Sequence, residues 1–136
     1  MKVLIIDDDK TIGFFLGKIL DDLNVEHVYK PCGECGLNEF MDGFENDNPF
    51  DAIFLDIYMP DYDGIQILQA IRDFEKENNL PKTCVIILTQ SANVGIALTS
   101  KNFGAEKFIR KDSDVKQEII KLMEGKGCLV WSMTRL

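Results

Sequence analysis

The sequence predicts an α/β domain: a doubly wound, five-stranded parallel sheet with helices on both faces. Three observations lead there. Short, continuous apolar runs alternate with segments whose apolar residues recur at helical spacing, the alternation occurs five times, and the breaks between segments are short and carry no linker-like or repetitive stretch. Parallel neighbours cannot be joined by tight turns, so each helix serves as a right-handed crossover that covers one face of the sheet.

The elements follow in order. Residues 3–6 are apolar and too few for a helix, and Ile12, Phe15, Leu16, Ile19, Leu20 and Leu23 then recur at i, i+3, i+4 spacing as the inner face of a first helix. Residues 25–29 form a weaker strand, after which Leu37, Phe40, Met41 and Phe44 stripe a second helix that ends at residues 46–49. Residues 52–55 are the third strand. Ile65, Ile67, Leu68, Ile71 and Phe74 supply the next helix with its buried side before Asn78, Asn79 and Pro81 stop it. Residues 84–88 are the fourth strand, and a less regular helix carries Val94, Ala97 and Leu98. Gly104 ends the following turn, residues 107–110 form a short fifth strand, and Val115, Ile119, Leu122 and Met123 line the last helix.

With 136 residues, 46% of them hydrophobic, the chain fits a single core that buries about 68% of its unfolded surface. Fifteen Lys and Arg stand against 23 Asp and Glu, a net charge of −8 that repels polyphosphate and anionic lipid, so direct nucleic-acid binding is not expected. Residues 83–100 carry no charge, but Gln90, Ser91, Asn93 and three threonines interrupt them, which argues against a membrane span. Residues 3–6 are too short for a signal-peptide core, and a cytoplasmic location is expected.

In open parallel sheets ligands sit beyond the carboxyl ends of the strands. Here strand one ends in Asp7, Asp8 and Asp9, strand three in Asp56, strand four in Thr89 and strand five in Lys111. Carboxylates crowded at one edge repel one another, and a hard divalent cation with a preference for oxygen, such as magnesium, relieves that repulsion. With such an ion present a carboxylate can attack a phosphoryl group while the metal and a lysine neutralise the equatorial oxygens. Taken singly the residues have plainer roles: Asp9 is expected to cap the first helix, and Thr89 and Lys111 could be a cap and a solvated charge.

Together they resemble the receiver domain of two-component response regulators. The segment Asp56-Ile57-Tyr58-Met59-Pro60-Asp61-Tyr62-Asp63-Gly64 is similar to that family's D-x-x-M-P-x-x-D-G, and the Asp7-Asp8 pair, Thr89 and Lys111 stand at its other positions in order. The resemblance covers residues 2 to about 124 and implies a flavodoxin-like, CheY-like fold with strand order 2-1-3-4-5. It also implies that Asp56 accepts a phosphoryl group from the phosphohistidine of a sensor histidine kinase or histidine phosphotransfer protein. Asp8, Asp56 and the Tyr58 carbonyl would hold Mg2+, with Asp7 acting through metal-bound water. Thr89 and Lys111 would contact phosphoryl oxygens, and Phe108 would be the switch aromatic. The protein would thus be a signalling phosphoacceptor that assists its own phosphorylation and dephosphorylation rather than an enzyme. Two positions depart from the pattern: Asp112 follows Lys111 where the family has proline, so a trans bond is expected, and Gln90 replaces a small residue after Thr89.

Two other readings compete. A degenerate receiver would keep the fold as a phosphorylation-independent binding module. A haloacid-dehalogenase-like phosphatase would use Asp7 as nucleophile and Asp9 as acid-base, but leaves residues 56–64 unexplained. The four cysteines, Cys32, Cys35, Cys84 and Cys128, are expected to be reduced; a redox pair at Cys32-x-x-Cys35, or zinc bound with His27, are the rarer possibilities. Residues 1–124 form the expected domain. Residues 125–136, with Trp131 and Met133, read as a tail or linker start that packs on its own domain or contributes to a homodimer or partner surface.

Overall fold

The computed structural model describes residues 1–90, 94–111 and 114–124. Strand β1 (Lys2–Ile6) is followed by α1 (Lys10–Asp22), β2 (Glu26–Lys30), α2 (Gly33–Glu45), β3 (Ala52–Asp56), α3 (Gly64–Glu77), β4 (Cys84–Thr89), α4 (Val94–Asn102), β5 (Lys107–Arg110) and α5 (Val115–Met123). All pairings are parallel and the order is β2-β1-β3-β4-β5, the expected architecture and order.

The continuous apolar runs resolve into two alternating faces, because successive side chains of a strand point to opposite sides. Val3, Ile5, Phe54, Ile86 and Leu88 join Leu16, Ile19 and Leu20 of α1 and Ile119 and Leu122 of α5 in one core. Leu4, Ile6, Ile53, Leu55, Val85 and Ile87 join Phe40 of α2 and Ile67, Leu68 and Ile71 of α3 in the other. Helix α2 closes on β1 through Gly36, where a Cβ would lie 2.6 Å from the Ile6 side chain, so a larger residue would push the helix off the sheet.

Two predicted stripe residues face outward instead. Phe15 is exposed, because α1 turns Gly13, Leu16 and Gly17 inward beside it. Leu98 is 58% exposed, and α4 presents Ile96 and the buried Ser100 to the core, with the Ser100 hydroxyl satisfied by the Ile96 carbonyl at 2.8 Å. The cysteine expectation also needs correction. No described cysteine is a free thiol: Cys32 and Cys35 form a disulfide across the first turn of α2, where their Cα atoms lie 5.4 Å apart and within normal bridging reach. The 125–136 tail reading, Cys128 included, lies outside the described residues, as do Asp112 and its peptide bond to Lys111. Among the described residues no helix is long and apolar enough to cross a membrane.

Candidate functional site

The parallel registers bring the strand ends level. Asp56 pairs with Leu88 and Thr89 with Arg110, so Asp7, Asp56, Thr89 and Lys111 leave four adjacent strands at the same edge. The Lys111 N–H donates to the Thr89 carbonyl at 2.8 Å, which extends the β4–β5 ladder by one bond and fixes the lysine's backbone. Beyond this edge lies an open cleft of about 240 Å³ lined by Asp8, Asp9, Asp56, Tyr58, Gln90 and Lys111.

Asp7, Asp8 and Asp56 each present a carboxylate oxygen, all within 4.8 Å of one another. Asp7 and Asp56 are buried, and Asp8 is exposed to the cleft. Among the described residues a single cation answers the buried pair: Lys111 Nζ lies 2.8 Å from Asp7 Oδ2 and 3.4 Å from Asp56 Oδ1. The contact with Asp7 Oδ2 is one of charge rather than direction, since that buried oxygen has no hydrogen bond of acceptable angle. Three carboxylates against this ammonium, one of them with an unsatisfied buried oxygen, fit a hard divalent cation with oxygen ligands. The acidic cluster is therefore suited to a metal on its own chemistry.

The electrostatics are those of a strained anionic site. Burial first, and then the Asp7 charge, push the Asp56 carboxyl from 3.8 up to about 7, while Lys111 opposes the rise. For Lys111, burial pulls downward, but the close Asp7 carboxylate and the charge of Asp56 outweigh it and hold the ammonium above its usual range. Lys111 is thus fixed as a cation, and Asp56 is poised between its two forms near neutrality.

Local structure explains the positions. Asp9 caps α1 through its carboxylate and the Thr11 N–H at 2.9 Å, as expected. The Asp9 N–H donates to Asp7 Oδ1 at 2.9 Å and so orients that carboxylate. In the loop after β3, Asp63 and Gln66 form a capping box that starts α3, and the Gly64 N–H donates to the Ile57 carbonyl at 2.7 Å. A Cβ on Gly64 would collide with the Asp56 carbonyl oxygen, so the aspartate-glycine end of the motif lets the chain fold tightly back over the acidic strand end. Thr89 is fully buried at the end of β4, Gln90 is exposed on the cleft wall, and Tyr58 is exposed beside it. Phe108 stands apart from the acidic cluster: it is half-buried against the α2–α3 core and lines a groove between α4 and β5 with Ala97 and Leu98.

Two contributors are not apparent from the sequence. Tyr29, at the end of β2, donates its hydroxyl to the Asp7 carbonyl at 2.7 Å. Burial, reinforced by Asp7, Asp8 and Asp9, raises its phenol above the usual value, so it stays neutral and donating. Its strand-end position was the available signal. Asp61 accepts from the Gly33 and Glu34 N–H groups at 3.1 and 2.9 Å and ties the β3–α3 loop to the start of α2. Those bonds, the Glu34 bond foremost, hold its carboxyl below the usual range against the effect of burial.

Comparison with known proteins agrees with this geometry. The family profile described as "Response regulator receiver domain" matches residues 3–124. A "Hybrid signal transduction histidine kinase L" from Dictyostelium discoideum is 34% identical over 123 residues, covering 88% of this chain and 7% of that protein. The chain spans half or less of the length of the curated relatives it matches first. Among solved structures, a response regulator receiver domain protein from Clostridium thermocellum superposes with a TM-score of 0.78 at 26% identity, covering 99% of this chain and 98% of that one. The CheX-CheY-BeF3-Mg+2 complex from Borrelia burgdorferi gives a TM-score of 0.78 at 26% identity, covering 91% and 87% of the respective chains.

Proposed function

We propose, for a chain that belongs to the response regulator receiver domain family, that Asp56 is its phosphoacceptor and that the strand-end cleft is where a phosphoryl group is received and read. One observation carries this reading: Asp56 is buried at the end of the central strand with the Lys111 ammonium 3.4 Å away and two further carboxylates beside it. No other carboxylate among the described residues combines that burial, that cation and the open cleft.

In this reading the Asp56 carboxylate attacks phosphorus of a phosphohistidine on a sensor histidine kinase or phosphotransfer protein. An acyl phosphate forms as the phosphorus–nitrogen bond breaks, and the imidazole leaves with a proton. Asp8, Asp56 and the Tyr58 carbonyl would hold Mg2+, with Asp7 acting through water, and the bound ion would supply charge neutralisation. This chain's own residues do the rest. Asp7 and Asp8 keep the carboxyl edge anionic, Tyr29 and the Asp9 N–H hold Asp7 in place, and Lys111 neutralises the phosphoryl oxygens. The Thr89 hydroxyl donates to one of those oxygens, and a change in Thr89 and Phe108 carries the signal to the α4–β5 groove. A cleft built around one buried acceptor carboxylate favours a signalling phosphoacceptor over an enzyme with turnover. Asp9 is engaged as a helix cap, which leaves the phosphatase alternative without the acid-base group it requires.

Labelling with a small phosphodonor in Mg2+ tests the assignment. One phosphoryl group per chain is expected, and Asp56→Asn abolishes it. Label persisting on Asp7 or Asp9 in that variant overturns the choice of nucleophile, multiple turnovers of an aryl phosphate support the phosphatase, and no label at all supports a phosphorylation-independent binding module.

A further inference from the structure

The Cys32–Cys35 disulfide lies outside the acidic cluster, yet it is joined to the phosphoacceptor loop by two hydrogen bonds. Cys32 is the N-cap of α2 and Cys35 its third residue; both are half-buried and reachable from solvent. The helix terminus aims its N–H groups at the sulfurs: Cys35 N–H to Cys32 Sγ at 3.1 Å and Cys32 N–H to Cys35 Sγ at 3.0 Å. Between the two cysteines, the Gly33 and Glu34 N–H groups hold both oxygens of Asp61. Asp61 lies in the same β3–α3 loop as Tyr58, which lines the cleft. Gly33 is buried, and a Cβ there would lie 3.1 Å from Ile67 and 3.3 Å from Asp61, so the turn is closely fitted to α3 and has little room to shift without moving the loop.

We propose that Cys32 and Cys35 form a thiol–disulfide exchange site for a dithiol co-reactant, and that its oxidation state is transmitted through Asp61 to the β3–α3 loop. A thiolate of the dithiol attacks one protein sulfur, the Cys32–Cys35 bond breaks and a mixed disulfide forms. The second thiol of the dithiol then resolves it. Two electrons pass to the protein, one proton from the dithiol reaches a cysteine and the other goes to solvent while the second cysteine stays a thiolate, and the dithiol leaves as its disulfide. The helix N-terminus stabilises the thiolate produced, as oriented N–H groups and the helix dipole do for a cysteine so placed, and this favours easy reduction. In the oxidised state the bond clamps the first turn and keeps the Gly33 and Glu34 N–H groups on Asp61. In the reduced state a thiolate competes for the same N–H groups and the hold on Asp61 loosens.

The consequence for phosphorylation rests on the assignment of Asp56 as phosphoacceptor, and the test separates the two. The full chain is equilibrated at graded ratios of reduced to oxidised dithiothreitol, alkylated and peptide-mapped, while the Gly33 and Glu34 amide resonances and the rate of labelling by a small phosphodonor are followed. Cys32 and Cys35 should pass from alkylated to disulfide-bonded across the series, the two amides should shift with the same midpoint, and the labelling rate should change by roughly 2- to 30-fold. Cys32→Ser/Cys35→Ser should label at one rate at every ratio. Cysteines that alkylate fully throughout overturn the exchange site, and amides indifferent to a bond that does form overturn the link through Asp61. If neither state labels, the phosphoacceptor reading fails, and the amide shifts still decide the link. If both states label equally while the amides shift, the transmission to the loop is refuted.

Discussion

Removing the Asp56 charge should make the metal-free protein more stable, although the residue lies at the centre of the site. The carboxyl titrates at about 7 in the folded chain against 3.8 as its ordinary value, because burial and the Asp7 charge oppose ionisation. Between those values the native state holds a proton that the unfolded chain has released. Stability is therefore greatest, for this group, below its unfolded value and is lost as pH rises through about 7. A difference of about three units corresponds to about 4 kcal/mol, and screening by water in the open cleft reduces the expectation to about 2 kcal/mol. In EDTA at about pH 8.5, Asp56→Asn should raise the urea unfolding free energy by that amount and the melting temperature by roughly 7 °C. At about pH 5, where the folded chain holds more of the proton, the gain should be smaller. Saturating Mg2+ should reverse the order, since only wild type keeps all three carboxylates, and ion at a hundred times its dissociation constant adds about 2.7 kcal/mol. If Asp56→Asn is no more stable than wild type in EDTA at the higher pH, the argument that an uncompensated carboxylate strains this edge is refuted.

Three further outcomes are expected. Lys111→Met removes the cation shared by Asp7 and Asp56; the Asp56 carboxyl should move above about 7 in a carbon-detected NMR titration, and an unchanged midpoint would sink the pairing. Gln90→Ala should alter the lifetime of the acyl phosphate, read as loss of label after the donor is removed, because Gln90 stands on the cleft wall; equal decay would mean that its side chain takes no part. Arg72→Met should cost about 3 kcal/mol by urea unfolding, because it leaves the buried Glu75 without the guanidinium 2.7 Å away and also frees the Phe103 and Gly104 carbonyls. A loss below about 0.5 kcal/mol would show that the Thr83 N–H, 2.6 Å from Glu75, satisfies that carboxylate by itself.

The strands and the acidic edge were legible because the signals for them are local. A short apolar run bounded by aspartates reads as the end of a buried strand, and the residues after it fall at the sheet's edge whatever the helices do. The helix faces were less legible where small residues decide them: α1 buries Gly13 and Gly17 beside the exposed Phe15, and α4 turns Ser100 inward while Leu98 faces out. Periodicity weighs side chains by hydrophobicity and cannot see that a glycine or a back-bonded serine lets a helix sit closer to the sheet. Glu75 was invisible for a related reason. Its position on α3 reads as solvated, with Arg72 one helical turn before it as an ordinary surface partner, and only the folded chain buries the pair and brings the Thr83 N–H to it.

The site shows the same division between what a local motif dictates and what the fold assembles. Residues 56–64 announce themselves by their order, but the sharing of Lys111 between Asp7 at 2.8 Å and Asp56 at 3.4 Å depends on strands meeting in register. That sharing has a mechanical consequence in the proposed reading. The lysine's backbone is held to β4 by the bond to the Thr89 carbonyl, so its position cannot drift, while its ammonium is divided between two carboxylates and is committed to neither. A phosphoryl group on Asp56 brings more negative charge than either carboxylate and can draw the ammonium across without disturbing the ladder. Asp7 then loses its counter-charge inside the same cleft. Modification of one side chain is felt by a second through a third whose backbone does not move, and Thr89, on the same carbonyl-bonded strand end, lies where that redistribution would first reach β4.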